Sequence, residues 1–151
     1  MTFEDAVKAT PQICDKYCTG LKALGKHSAK IKFSCSAEID GSVNIDEATK
    51  QYYPNDYRWD YVVGYKGRTY FFEIHPAATS QVDVVKRKYE WLKNWLRNDA
   101  PKINSLEKAN NAFFWIYTNR FDIPYTSTQY KKAVAMGLKP IREFVEKKLE
   151  Q

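Results

Sequence analysis

Apolar residues recur at every second position on both sides of Lys66-Gly67, between Arg58 and Ala78. Period-two alternation in runs rich in Tyr, Phe, Val and Ile indicates strands, and a Lys-Gly pair between two such runs favours a two-residue hairpin loop. The pattern therefore predicts a β-hairpin with one apolar face, which we expect to be the core. The side chains of that face are Trp59, Tyr61, Val63, Tyr70, Phe72 and Ile74.

The opposite face of this hairpin carries charge. A two-residue loop places Asp60 directly opposite Glu73, and His75 lies two positions further on the same face. Carboxylates that face each other across a pair of strands repel unless something neutralises them. A hard divalent cation such as Mg²⁺ would do so, because it binds carboxylate oxygens. A three-residue loop would instead put the two acids on opposite faces.

Helical periodicity marks other parts of the chain. It predicts a short helix over residues 2–9, a second helix from Pro11 to Gly25, and a long helix from about Ser80 to Asn98 that begins with a Ser80/Asp83 capping box. The long helix has one apolar face, formed by Val85, Tyr89, Leu92, Trp95 and Leu96. After residues 126–128, a last helical pattern passes Gly137 and Pro140 and resumes through Ile141, Phe144, Val145 and Leu149.

Further strands are expected on either side of the hairpin. Ile31 to Cys35 alternates, and Asp40-Gly41 is typical of a turn before a strand from Ser42 to Ile45. Residues 51–57 should be a loop, and residues 103–110 a polar connection. The continuous apolar run from Ala112 to Tyr117 indicates a strand buried on both faces and parallel to the Glu73 strand, since a long helix separates the two. The order helix, strand, hairpin, helix, strand, helix predicts an α/β layered domain with a mixed central sheet.

Composition narrows the class of protein. The 151 residues are 44% hydrophobic and 28% charged, as expected for one globular domain over residues 1–151. The net charge of +6 favours a polyanionic partner, although it also serves solubility. Neither a signal peptide nor an apolar stretch of membrane-spanning length is seen, so we expect a cytoplasmic protein away from the membrane. Cys14, Cys18 and Cys35 are expected to be buried thiols, and two distant histidines make a zinc cluster improbable.

The hairpin resembles the PD-(D/E)xK nuclease superfamily, which has the restriction-endonuclease-like fold. An Asp opens one strand, a short hairpin follows, and the next strand carries Glu-x-basic, here Glu73-Ile74-His75. The resemblance implies a three-layer core with a mixed central sheet, a β-hairpin and flanking helices. It also implies metal-dependent hydrolysis of nucleic-acid phosphodiesters, with Mg²⁺ or Mn²⁺ held by Asp60, Glu73 and the carbonyl of Ile74. Small nucleases of this fold are often homodimers.

Position 75 departs from the family pattern, because His75 stands where the family usually has Lys. A neutral imidazole can accept a proton but brings no fixed positive charge. Some family members carry the basic residue on the following helix, where this chain offers Lys86 and Lys88 as catalytic candidates. The first helix of the family often supplies another acid, and Glu4 is the nearest in order.

The start of the long helix suggests a nucleic-acid contact. Thr79 and Ser80, together with the first-turn amides, could hold a phosphate. Arg87 lies further along that helix, and Arg120 follows the buried strand at the same rim of the sheet. All four are candidates for binding DNA or RNA, and a solvated surface is the competing interpretation for each.

Three functions remain open from the sequence. The first is a nuclease, in which Asp60 and Glu73 form a metal site. The second is a catalytically inactive domain of the same fold that binds nucleic acid or a protein partner, and His75 favours it. A small-ligand sensor has only the aromatic content in its favour. The competing interpretation of the two acids is a pair of solvated residues on an open sheet face, and His75 before Pro76 could simply end its strand.

Overall fold

The hairpin at Lys66-Gly67 organises the central sheet. In the computed structural model, which describes residues 1–146, strand β3 (Tyr61–Tyr65) pairs antiparallel with β4 (Arg68–Ile74), and Tyr65 faces Arg68. Lys66 and Gly67 have φ of 50° and 76°. A type I′ loop requires positive φ at both central residues, and glycine adopts it without steric cost. The two-residue loop and its register are therefore confirmed.

Two further strands complete a four-stranded mixed sheet in the order β2-β3-β4-β6. Strand β2 (Ile39–Asn44) is antiparallel to β3, whereas β6 (Lys108–Ile116) is parallel to β4. The parallel pairing predicted for the apolar run is confirmed, and the connection between β4 and β6 contains the long helix α3 (Val82–Asn98). The fold is thus of the mixed α/β class.

The remaining elements are short. The other helices are α1 (Phe3–Lys8), α2 (Ile45–Thr49), α4 (Pro101–Asn104) and α5 (Thr128–Ala135). Short 3₁₀ segments cover Pro11–Ile13, Ser36–Glu38 and Thr79–Gln81, and the 3₁₀ stretch Lys22–Lys30 is interrupted by non-helical backbone at Gly25. Two parallel ladders pair β1 (Ile31–Lys32) with β8 (Phe144–Val145) and β5 (Ala77–Ala78) with β7 (Phe121–Asp122). Within residues 1–146, no helix is long and apolar enough to cross a bilayer.

Both faces of the sheet are buried, so the expectation of a single core face was wrong. One core cluster joins Val62, Phe71 and Trp115 to side chains of α3 such as Val85 and Leu92. A second cluster covers the other face and contains Tyr61, Val63, Phe72, Ile74, Phe114, Leu24, Ile31 and Phe144. Trp59 belongs to the first cluster, because it precedes β3 and packs against Tyr89 of α3. Helix α3 therefore covers the face that carries the acids.

The prediction of a helix between Pro11 and Gly25 was wrong. The backbone of Cys18 instead forms two 2.9 Å hydrogen bonds with that of Ser42 in β2. Tyr17 packs over Gly41, where a Cβ atom would lie 2.4 Å from the Tyr17 ring, and its hydroxyl donates to the Asp40 carbonyl. This tertiary contact outweighs the local helical pattern. The expectation that the three cysteines are buried was also wrong, because Cys14 is exposed and Cys18 and Cys35 are only partly buried.

Several local predictions also need correction. Asp40-Gly41 is a bulged part of β2 rather than a turn, because it pairs with β3. No Ser80/Asp83 capping box forms, since Ser80 lies in a 3₁₀ turn and Asp83 pairs with Lys132.

At the carboxyl end, Phe144 and Val145 form β8 instead of a helix, because they pair with β1; Leu149 lies outside the described residues. The strand expected at residues 31–35 is limited to β1, and β6 begins at Lys108, inside the expected polar connection.

Candidate active site

Asp60 and Glu73 meet at the end of the hairpin that lies away from its loop. The Asp60 amide donates to Glu73 Oε1 at 3.2 Å, and the Ile74 amide donates to Asp60 Oδ2 at 3.0 Å. Each carboxylate is thus fixed by the backbone of the opposite strand. The register of the hairpin brings the two acids together as the alternation predicted.

The chain before Asp60 is held by helix α2. The amides of Ile45 and Asp46, at the start of α2, approach the Asp60 carbonyl at 2.7 and 3.4 Å. Arg58 Nε lies 2.9 Å from Asp46 Oδ1, and its Nη1 donates to the Tyr53 carbonyl. These contacts position Asp60 without using its carboxylate, which remains directed at Glu73 and α3.

Helix α3 supplies a lysine to the acids. Lys88 Nζ lies 2.6 Å from Glu73 Oε2 and 3.8 Å from Asp60 Oδ1. The side chain of Glu73 is fully buried, and those of Lys88 and Asp60 are 16% and 18% exposed. Residues two apart on a helix do not share a face. Lys86, the other lysine expected here, is accordingly exposed on α3.

The charges of this cluster do not balance. Burial raises the pKa of Glu73 well above its usual value, and the neighbouring Asp60 raises it further. Burial also raises the pKa of Asp60. Burial alone would lower the pKa of Lys88, but the two carboxylates outweigh it and raise that pKa, so Lys88 carries a positive charge. Two carboxylates against one ammonium leave an excess negative charge, which a proton or another cation must neutralise.

His75 does not supply that cation. Burial lowers the pKa of His75, so the ring is neutral near pH 7. Gln81 Oε1 lies 2.6 Å from His75 Nε2 and accepts a hydrogen bond from its N–H, which leaves Nδ1 without a proton, 3.7 Å from Glu73 Oε2. Trp115 Nε1 donates to the His75 carbonyl at 2.9 Å. The ring is therefore fixed beside the acids as a neutral base.

Gln81 was missed by the sequence analysis. It lies just before α3, and no local pattern connects it with a histidine six residues earlier. Only the return of the chain after β4, through β5 and the 3₁₀ turn Thr79–Gln81, brings the two side chains together.

The residues predicted to bind nucleic acid fall into two groups. Ser80 contacts Gln81, and Thr79 contacts the Asp122 carbonyl at 3.5 Å. Arg120 is 83% exposed and pairs with Asp122, so these groups share the rim formed by β5 and β7.

Arg87 lies elsewhere. Its guanidinium stands 5.3 Å from the ring centre of Tyr57, in the loop that leads to Asp60. The predicted nucleic-acid contacts are thus split between the β5–β7 rim and the outer face of α3 at Arg87.

The oxygen atoms that could hold a metal ion here are those of the two carboxylates and the Ile74 carbonyl. The Ile74 amide points toward Asp60, and in an extended strand the carbonyl of the same residue points the same way. Among residues 1–146, no group of three or more His, Cys, Asp or Glu side chains is arranged to hold a metal. A metal ion here would therefore take its remaining ligands from water and a substrate phosphate, as Mg²⁺ commonly does.

Three other acids of the described residues, Glu4, Asp40 and Asp46, have partners outside this cluster. Glu4 pairs with Lys8 on α1. Asp40 Oδ2 accepts from the Gly67 amide at the loop of the hairpin, about 17 Å from Asp60 along a five-residue strand. Asp46 is near, but Arg58 binds it.

Comparison of the chain with protein-family models, curated proteins and solved structures found no match.

Proposed function

We propose that this protein is a metal-dependent nuclease of the PD-(D/E)xK type, hydrolysing phosphodiester bonds of DNA or RNA. Asp60, Glu73 and the Ile74 carbonyl would hold Mg²⁺ or Mn²⁺. When bound, such an ion activates water and stabilises charge on a phosphate. Lys88 and His75 are the basic groups beside it.

The carrying observation is the charge of the buried cluster. Glu73 is fully buried and Lys88 Nζ lies 2.6 Å from it, yet Asp60 adds a second carboxylate that no described cation balances. A divalent ion would remove this excess negative charge, and all three donors are the hard oxygen atoms that Mg²⁺ prefers.

The order of the elements supports the restriction-endonuclease-like fold. Helix α1 is followed by β2, the β3–β4 hairpin, α3 and β6, in a mixed sheet. The family resemblance implies this order. It also allows the basic residue to come from the helix after the hairpin, which is where Lys88 lies.

A cleavage assay tests the proposal. Purified protein is incubated with single- and double-stranded DNA and RNA in Mg²⁺ or Mn²⁺. We expect cleavage of at least one substrate, and a loss of about a hundredfold or more in Glu73→Gln and Lys88→Met, because an electrostatic contribution of several kcal/mol disappears. Lys86→Met is the matched control, because it removes an exposed lysine of the same helix. No cleavage of any substrate, or full activity in Glu73→Gln, would contradict the proposal.

A second candidate is a catalytically inactive domain of the same fold that binds nucleic acid or a protein partner. Two observations favour it: Lys88 already pairs with Glu73, and His75 is neutral where the family usually has lysine. Calorimetric titration with Mg²⁺ separates the two candidates. A nuclease binds the ion and loses it in Asp60→Ala, whereas an inactive domain binds nucleic acid without the ion.

If the domain proves inactive, His75→Lys tests whether the missing charge is the cause. Gain of metal-dependent cleavage would assign the defect to position 75. If the His75→Lys variant is still inactive, the defect lies elsewhere in the cluster.

A further inference from the structure

An open cavity lies beyond the carboxyl end of β6, where Tyr117 contributes to its lining. Its volume is about 390 Å³, within the size range of ligand sites. Four aromatic side chains and two basic ones are prominent in its lining, namely Tyr117, Phe121, Tyr125, Tyr130, Lys139 and Arg142. We propose that this cavity, called the aromatic cavity below, binds an unpaired base of single-stranded nucleic acid.

The rings of the aromatic cavity support one another. Phe121 stacks on Tyr125 with ring centres 5.4 Å apart, and Tyr130 meets Tyr125 edge-on at 5.0 Å. Tyr125 is nevertheless 69% exposed. A ring that is held on two sides and open to solvent offers a fixed surface on which a base stacks, and such stacking tolerates any base.

The charge around the aromatic cavity suits a phosphate backbone. Lys139 and Arg142 are exposed among its lining residues. Glu143, an acidic residue of the lining, pairs with Lys32 at 3.2 Å. The net charge here is positive, which attracts the phosphates on either side of a bound base.

The aromatic cavity lies within reach of the acids. Tyr117 directly follows β6, and its amide donates to the Ile141 carbonyl, so the segment around Ile141 runs beside β6 at the sheet edge. Neighbouring strands are about 4.8 Å apart, which puts this segment about 10 Å from β4. Phe121 pairs with Ala77, two residues after His75. A nucleic-acid strand with a phosphate beside the Asp60–Glu73 cluster would therefore have a base a few nucleotides away within reach of the aromatic cavity.

This geometry selects single strands over duplexes. The bases of a duplex are stacked on each other, so a base must leave the stack to enter a protein cavity, at a cost of unpairing. The distance between the bound base and a cleaved phosphodiester bond rests on the proposed nuclease function. Binding of the base itself needs neither metal nor cleavage.

Fluorescence anisotropy without divalent metal tests the inference. Labelled oligothymidine and oligouridine are the probes, with abasic and duplex DNA of equal length for comparison. We expect Tyr125→Ala to weaken single-strand binding about tenfold, as for the loss of one stacked base. Tyr125→Trp should retain binding, because it retains a stacking surface. Tyr52→Ala, at a tyrosine 48% exposed elsewhere, is the matched control.

The outcomes separate this inference from the nuclease proposal. Equal binding of abasic and normal strands, preference for the duplex, or no effect of Tyr125→Ala would overturn it even if cleavage occurs. A tenfold loss in Tyr125→Ala and weak binding of the abasic strand would support it even if no substrate is cut. Preference between the two oligonucleotides would identify DNA or RNA as the source of the base.

Discussion

Helix α3 makes two ion pairs of similar length in opposite surroundings. Lys88 lies 2.6 Å from Glu73, with side chains 16% and 0% exposed. Asp83 lies 2.8 Å from Lys132, with side chains 55% and 34% exposed. Water and salt screen the second pair, whereas the first is mostly buried and has a second carboxylate beside it. Burial and the extra charge, and not distance, therefore make the Glu73 cluster a candidate for chemistry.

Removal of Lys88 should have the largest effect on stability. Lys88→Met leaves two carboxylates without their cation, and breaking a buried pair costs about 3–5 kcal/mol. We expect that loss in urea unfolding at pH 8 without metal, and a smaller one at pH 5, where a proton replaces the ammonium. Lys86→Met should be near wild type. Adding Glu73→Gln to Lys88→Met should recover most of the loss, and a double variant no more stable than Lys88→Met would disprove the charge argument.

Binding of Mg²⁺ should have the second-largest effect on stability. An ion that binds only the folded chain stabilises it by about 2.7 kcal/mol at a hundred times its dissociation constant. Thermal unfolding at pH 8 should therefore move upward with Mg²⁺ and return with a chelator. Glu73→Gln should not respond, and an equal response in that variant would place the ion at another site.

Stability without metal should fall as pH rises. Glu73 gives up its proton near its usual pKa of 4.5 when the chain is unfolded, but burial raises the pKa in the folded state. Above pH 4.5 the folded chain thus binds more protons than the unfolded one, so unfolding free energy falls by up to about 1.4 kcal/mol per pH unit for each such proton. The unfolding free energy stops falling once the pH exceeds the pKa of Glu73 in the folded state.

The raised pKa of Asp60 also makes the unfolding free energy fall as pH rises, beginning near the usual pKa of 3.8. Urea unfolding from pH 5 to 8 measures the slope, which should be shallower in Glu73→Gln. An unchanged slope there would assign the pH dependence to other groups.

The exposed pair should show the smallest effect. Lys132→Ala removes the partner that lowers the pKa of Asp83, but solvent screens both groups. We expect a urea midpoint close to wild type, with any change lost in high salt. A large, salt-independent loss would show that exposure does not separate the two pairs on α3.

The hairpin was predictable because its information is local. Lys66-Gly67 has the loop chemistry, and strict alternation fixes which residues share a face. Asp60 and Glu73 followed from that register without any knowledge of the rest of the fold. The extent of α3 likewise followed from its helical periodicity, and the parallel pairing of β6 followed from the apolar run after that helix, although β6 begins at Lys108 rather than Ala112.

The segment between Pro11 and Gly25 was not predictable in this way. Its apolar spacing resembles a helix, but Tyr17 packs over Gly41 and the backbone of Cys18 pairs with β2. Both contacts join residues more than twenty positions apart, so no local window contains them. The same reason explains β8, whose partner β1 lies more than a hundred residues earlier.

By itself the sequence determined the identity of the acids, their register across the hairpin, and the presence of Lys86 and Lys88 in the first half of the following helix. Only the tertiary structure decided that Lys88 rather than Lys86 reaches Glu73, that Gln81 fixes a neutral His75, and that Glu73 is fully buried. Glu73 is buried because α3 packs over the sheet, and that packing involves side chains from distant parts of the sequence. The electrostatics of a carboxylate depend on that covering, because the same residue exposed to water would keep its ordinary pKa.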